Sequence, residues 1–233
     1  MKHSVGKRLL SAAKFVRQGA YFADVGTDHA YLPLFLLGEG IIERAVCADI
    51  NEGPLESARK NAAEAGFFDK IIFKLSDGAA ELSDMGITDY AICGMGGELI
   101  ADIIDRAPHL KDSAVNLILQ PMTRQASLRR YLCENGFAVV GESYSYDAGK
   151  YYLCMLVKYS GVSRKISDFE AEFGDLSDAR DMSSEKRGYI DGKLKALYKA
   201  ALGKEASGQP DSTERRMINE YECILSGGNE NDG

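Results

Sequence analysis

The sequence predicts an α/β chain built on a doubly wound, mostly parallel, seven-stranded sheet, with a C-terminal helical hairpin. Three observations carry this. Short apolar runs alternate with stretches of helical spacing between residues 20 and 136, a rhythm of five strand–helix units that demands a parallel sheet with helices on both faces. The rhythm then gives way to FAVVGESYSYDAGKYYLCMLVKY at 137–159, two strand-like runs joined by a tight turn, which adds a reversed edge strand. Two further stripes of helical period follow after 183.

The elements justify themselves in order. Val5, Leu9, Ala12, Ala13 and Val16 recur at helical spacing, so residues 4–18 read as an amphipathic helix ended by Gly19. AYFADV at 20–25 is a strand. It runs into the turn GTDHA and a helix from about Tyr31, where Pro33 suits the first turn. RAVCADI at 44–50 is a buried strand, and 52–65 a helix stopped by Gly66. KIIFKLSDG supplies the third strand and DYAICGMGG the fourth. ELIADIIDRA follows as a helix with Leu99, Ile100, Ile103 and Ile104 turned inward. VNLILQPM and TRQASLRRYLCENG make the fifth strand and its helix. In domain terms, 1–160 is the sheet domain with its N-terminal helix and 161–182 a linker. Residues 183–226 read as a coiled-coil-like antiparallel helical hairpin, with one stripe of Ile190, Leu194, Leu197 and Ala201 and a second of Met217, Ile218, Tyr221, Ile224 and Leu225, pairing with each other or packing on the main domain. GGNENDG at 227–233 reads as a disordered tail.

Bulk properties narrow the function. The 233 residues are 45% hydrophobic, enough for one α/β domain and an appendage, and no run is long enough to span a membrane. The five cysteines are odd in number, widely spaced and without a CxxC. They read as reduced thiols of a cytoplasmic protein, with no metal site. The net charge of −7 argues against a generally basic nucleic-acid binder. Local patches are another matter: residues 1–20 hold Lys2, Lys7, Arg8, Lys14 and Arg17 with no acid, a candidate polyanion surface.

In an open parallel sheet, ligands bind beyond the carboxyl ends of the strands. The loops there carry the informative residues. Asp49 follows Gly26 by 23 residues, the spacing of an acid that accepts from ribose hydroxyls, with Ile50 beside it. Asp77, next to Gly78, is placed to accept from an adenine amino group. Gly94, Met95, Gly96 and Gly97 leave room at the fourth strand end. In the first turn, Asp24, Gly26 and Asp28 decide the cofactor. A pyrophosphate needs backbone N–H groups at a helix start, and a carboxylate at ~4 Å from it costs roughly 4 kcal/mol at intermediate dielectric. Asp28 therefore disfavours nicotinamide and flavin dinucleotides. S-adenosylmethionine has ribose and adenine, no phosphate and a positive sulfonium, and it fits four carboxylates. A methyltransferase follows.

DVGTDHAYLP and GMGGELI resemble the bacterial tRNA adenine-22 N1-methyltransferase family, within the Rossmann-like class I methyltransferases. The resemblance extends over the basic first helix, the sheet, the EFG segment at 172–174 and the helical hairpin. It implies methyl transfer from S-adenosylmethionine to N1 of an adenine in the tRNA D-arm region, and a C-terminal domain that helps hold the tRNA. Carried over, Asp24, Gly26, Asp49, Asp77, Gly94 and Met95 line the cofactor. Asp28, His29 and Tyr31 face the methyl donor and the target base. The phosphate contacts are expected from Lys7, Arg8, Lys14 and Arg17, with Arg124, at a strand end near the site mouth, Arg129 and Arg130 as weaker candidates. A small-molecule methyltransferase would share the cofactor loops without needing the basic helix. A non-catalytic RNA-binding protein would keep the basic helix without needing an intact donor pocket.

Overall fold

The computed structural model describes residues 5–177 and 182–226. Lys2 and the predicted tail at 227–233 lie outside the described residues. The chain divides into two compact units, Met1–Lys165 and Ile166–Gly233.

The first unit is a seven-stranded sheet. Its strands are β1 (Ala20–Val25), β2 (Ile42–Asp49), β3 (Ile71–Leu75), β4 (Asp89–Gly96), β5 (Asn116–Thr123), β6 (Phe137–Asp147) and β7 (Lys150–Tyr159), in the order β3-β2-β1-β4-β5-β7-β6. The first five are parallel, and β7 pairs antiparallel with both β5 and β6. The helices are α1 (Lys7–Ala13), α2 (Tyr31–Gly38), α3 (Glu52–Ala65), α4 (Gly97–Asp105) and α5 (Gln125–Glu134). Alternate strand residues point to opposite faces. Phe22, Cys47, Ala91 and Ile118 join Ala12 of α1, Leu36 of α2 and Ala58 and Ala62 of α3 in one core cluster. On the other face, Ile100 and Ile104 of α4 and Leu128 and Leu132 of α5 are fully buried.

Local chemistry sets the boundaries. α3 stops because Gly66 takes a left-handed conformation at φ 76°, which lets the Phe67 N–H reach back to the Ala62 carbonyl at 2.9 Å. The first helix is shorter than its apolar period suggested, since the chain leaves helical pairing after Ala13 and turns at Gly19, φ 74°.

Four expectations need correction. The third strand–helix unit lacks its α-helix: only a 3-10 helix, Ala80–Met85, lies between β3 and β4, in a stretch broken by left-handed Gly78 and Gly86. Leu99 is 47% exposed, because α4 buries the stripe Ile100, Ile103, Ile104 and Leu99 falls off it. The reversed strand β7 is not at the edge. Its run Leu153–Met155 and Val157 is buried, whereas β6 is largely half-exposed, so the more apolar strand takes the interior place. The predicted linker holds a short helix, α6 (Asp168–Phe173), started by Ser167, whose hydroxyl accepts from the Glu170 N–H at 2.9 Å.

In the second unit, α7 (Ser184–Ala206) and α8 (Thr213–Ser226) run antiparallel, as their cross-helix partners require: Lys204 with Glu214, Glu205 with Arg215, and Tyr198 with Glu222. Ile190, Ala201, Met217, Ile218 and Tyr221 are buried, while Ile224 and Leu225 are exposed. Phe173 stacks on Tyr221 with ring centroids 5.6 Å apart. Among the described residues no helix is long and apolar enough to cross a membrane.

Candidate active site at the carboxyl edge of the sheet

The loops after β1, β2 and β3 are stitched together by backbone bonds. The Gly26 and Thr27 N–H groups both donate to the Ala48 carbonyl, at 2.8 and 3.0 Å, and the Ser76 N–H donates to the Asp49 carbonyl at 2.9 Å. This brings Asp24, Asp49 and Asp77 to neighbouring strand ends. Gly26 has φ 77°, a conformation that favours glycine, and a Cβ there would stand 1.9 Å from the Met95 methyl. Met95 therefore lies across the first turn, a flexible wall between the ends of β1 and β4.

Asp24, the next-to-last residue of β1, is the electrostatic centre. Burial pushes its carboxyl up to about 6, opposed by a hydrogen bond with Thr27 and by the nearby Arg8 guanidinium. Ionised Asp24 is thus costly until a cation arrives. The turn that follows is braced from below. Thr27 Oγ1 accepts from the Ala30 N–H at 3.2 Å, and Asn61 Nδ2 donates to the His29 carbonyl at 3.0 Å. Asp28 has an 80% exposed side chain, and His29 Nε2 lies 3.3 Å from its Oδ2. The His29 and Tyr31 rings are 5.0 Å apart. Asp28, His29 and Tyr31 so form one exposed cluster at the mouth.

Asp49 ends β2, and its Oδ1 accepts from the Asn51 N–H at 2.8 Å, which leaves Oδ2 for a ligand. Ile50 is 61% exposed beside it. Asp77 is ion-paired with Arg106 of the loop after α4, a partner not foreseen in the sequence. Gly78 is needed for space as well as for φ: a Cβ would sit 3.0 Å from Ile103. Gly94, φ 83°, is exposed. A Cβ on Gly97 would stand 2.4 Å from the Arg124 carbonyl oxygen, so this glycine permits α4 to start against the β5–α5 loop.

The cations expected on phosphates part company. Lys7 on α1 and Lys14 just after it are exposed, and Arg124 has a 69% exposed side chain just after β5, with Nε 3.7 Å from Glu98 Oε1. Arg8 instead turns inward. Its Nη1 donates to Gln120 Oε1 at 2.6 Å and would lie 3.7 Å from a Cβ on Gly94. Gln120, fully buried, returns a bond from Nε2 to the Arg8 carbonyl at 2.9 Å. Arg17 is at the opposite edge of the sheet, bound to Asp89, the first residue of β4, and to the Thr88 and Ala114 carbonyls. It does not share the mouth of the site. Arg129 is buried and paired with Glu142. The sequence held one unread signal for the Arg8 arrangement, a lone glutamine in the apolar strand NLILQPMT.

The residues present fit a cationic nucleoside. Four carboxylates meet the strand ends around a glycine turn, with the Arg8 guanidinium at the floor beside Asp24 and that of Arg106 on Asp77. The thiols of Cys47, Cys93 and Cys154 are held high by burial, that of Cys93 at about 12, so they are packing groups rather than nucleophiles.

Comparison with known proteins agrees with that chemistry. Residues 5–155 match the family model described as a methyltransferase domain. The chain is 29% identical over 198 residues to the tRNA (adenine(22)-N(1))-methyltransferase of Bacillus subtilis, covering 85% of this chain and 77% of the relative. It is 34% identical, at a TM-score of 0.80, to a candidate tRNA (m1A22) methyltransferase of Streptococcus pneumoniae in complex with S-adenosyl-L-methionine, covering 95% of this chain and 99% of the other. It is also similar, at 26% identity and a TM-score of 0.74, to the structure of M. capricolum TrmK in complex with S-adenosyl-homocysteine, covering 96% of this chain and 97% of the other. The matched sheet, the carboxylate-lined edge and these relatives together establish that this chain belongs to the methyltransferase-domain family, in the branch of the bacterial tRNA (adenine-22-N1) methyltransferases.

Proposed function

We propose that this protein transfers the methyl group of S-adenosylmethionine to N1 of an adenine in tRNA, at position 22. The observation that carries the reading is the carboxyl-edge cluster of Asp24, Asp28, Asp49 and Asp77 around a glycine turn, with Arg8 below it. When bound, the donor supplies a methyl carbon on a positive sulfur, and the carbon–sulfur bond breaks as the N1 lone pair bonds that carbon.

The chain's own residues bind and position. Asp24 opposes the ammonium of the donor's amino-acid part, and Arg8 opposes its carboxylate. Asp49 accepts from the ribose hydroxyls, and Asp77, held by Arg106, from the adenine amino group. Met95 closes over the Gly26 turn and excludes water there. N1 is engaged in a base pair within a duplex, so the target adenine must be unpaired or flipped out. N1 needs no base to deprotonate it, and catalysis rests on holding it in line with the methyl carbon. Asp28 accepts from the N6 amino group and stabilises the cationic product, with His29 and Tyr31 walling the base. Arg124, Lys7 and Lys14 meet phosphates.

Labelled donor and unmodified tRNA test this. The label is expected in tRNA, as N1-methyladenosine at position 22 after nucleoside digestion. Donor binding without label in tRNA, or label only in free small molecules, would overturn it.

A further inference from the structure

The tip of the β6–β7 hairpin carries two exposed aromatics that neither packing nor the donor pocket uses. Tyr146 and Tyr151 are directly opposite each other across the strands, with ring centroids 4.7 Å apart. They are 46% and 41% exposed. Residues on one strand face alternate, and the neighbours of Tyr146 on its face are occupied. Glu142 pairs with Arg129 of α5, and Tyr144 Oη donates to Glu142 at 2.5 Å. Tyr146 and Tyr151 thus continue the α5 face past the point where α5 ends its cover.

The tip is close to the donor pocket and is held there. Asp147, between the two tyrosines in sequence, accepts from the Arg8 backbone N–H at 3.1 Å through Oδ2. It supplies the cap that Gly6, at the start of α1, has no side chain to give. A Cβ on Gly6 would stand 2.5 Å from the same oxygen, so glycine lets the two elements approach. The side chain of that same Arg8 reaches Gln120 and the space over Gly94. One arginine therefore spans the distance from the hairpin tip to the pocket floor. The turn between the strands is tight, with Ala148 at φ 46° and Gly149 at φ 81°. Positive φ at both central residues is the geometry of a two-residue hairpin turn, which keeps Tyr146 and Tyr151 in register across the strands.

We infer that Tyr146 and Tyr151 form a stacking platform for an unpaired nucleobase of the RNA substrate that flanks the target adenine. This rests on the proposed tRNA activity. β7 lies three strands from β1 in the sheet order, about 14 Å at the usual strand spacing, too far for the reacting base and suited to a neighbour of it. Aromatic rings recognise single-stranded RNA by stacking on splayed-out bases. Lys150 at the tip and Arg124 at the start of α5 are exposed and provide the cations that the adjoining phosphates need.

The test uses the full chain and unmodified tRNA transcripts, some with 2-aminopurine at nucleotides flanking position 22. For Tyr146→Ala/Tyr151→Ala, the Kd for tRNA is expected to rise about tenfold or more. The slope of affinity against salt should stay unchanged, because no phosphate contact is lost. The Kd for S-adenosylmethionine should stay within about twofold, while Tyr146→Phe/Tyr151→Phe should bind tRNA as the wild type does. Wild-type protein should quench 2-aminopurine at one flanking position, and the alanine pair should not. Unchanged tRNA affinity in the alanine pair overturns the platform. So does an absence of quenching by the wild type at every flanking position, a result that stands even if the alanine pair folds poorly. If the wild type binds the donor but neither binds nor methylates tRNA, the failure belongs to the proposed function itself.

Discussion

Arg8 and Arg17 leave the same N-terminal segment and reach opposite edges of the sheet. At the amino edge, Arg17 closes on Asp89, which is fully buried and also accepts from Thr88 and, at 3.3 Å, from Asn116. At the carboxyl edge, Arg8 is bonded to a neutral glutamine and stands near Asp24 without closing on it. The first acid is satisfied from all sides. The second is left with a carboxyl raised to about 6. A buried charge that is fully paired holds strands together, whereas one left short of partners is ready for a ligand.

The largest effect that would sharpen this contrast belongs at the mouth. Asp28→Ala should lower turnover by about a hundredfold or more, with donor affinity near normal by calorimetry, because Asp28 is exposed and is proposed to meet the accepting base. Equal loss of both would move Asp28 into the donor shell. At the amino edge, Arg17→Ala should destabilise the fold by about 3 kcal/mol in urea denaturation. That is the low end for orphaning a buried partner, since Arg17 is itself 41% exposed. The folded variant should bind donor and tRNA as before. A selective loss of tRNA affinity would return Arg17 to the binding surface.

A smaller effect depends on pH. Folding raises the Asp24 carboxyl from an ordinary 3.8 to about 6. The stability this group contributes is present below about 3.8 and is lost as pH rises through about 6. Donor affinity moves the other way, because the donor's ammonium needs the ionised acid. Calorimetry should show affinity falling by about tenfold per pH unit below about 6, and Asp24→Asn should remove that dependence. Smallest of all, Arg124→Ala should weaken tRNA binding a few-fold and lower the salt slope by about one. An unchanged slope would leave Arg124 without a phosphate.

Much of this was legible from sequence because it is local. The strand 20–25 and the helix 52–65 with its Gly66 stop are set by short-range periodicity and turn chemistry, and the structure has both with the same bounds. The site loops were legible for a related reason, since parallel strands put their carboxyl ends at one edge. The failures are long-range. Arg8 and Arg17 look alike in sequence, and their partners Gln120 and Asp89 lie 112 and 72 residues away. The Arg106 partner of Asp77 is 29 residues away and belongs to another strand–helix unit.

By itself, then, the sequence determined the alternation of elements, the glycine turns and a set of acids unfit for a phosphate-bearing cofactor. Hydrophobic period and backbone sterics act over a few residues and need no knowledge of the rest. Only the tertiary structure decided that β7 takes the interior place and β6 the edge, that Leu99 faces outward, and which cation serves the pocket. Those outcomes depend on which distant groups compete for burial and for hydrogen bonds once the sheet has closed.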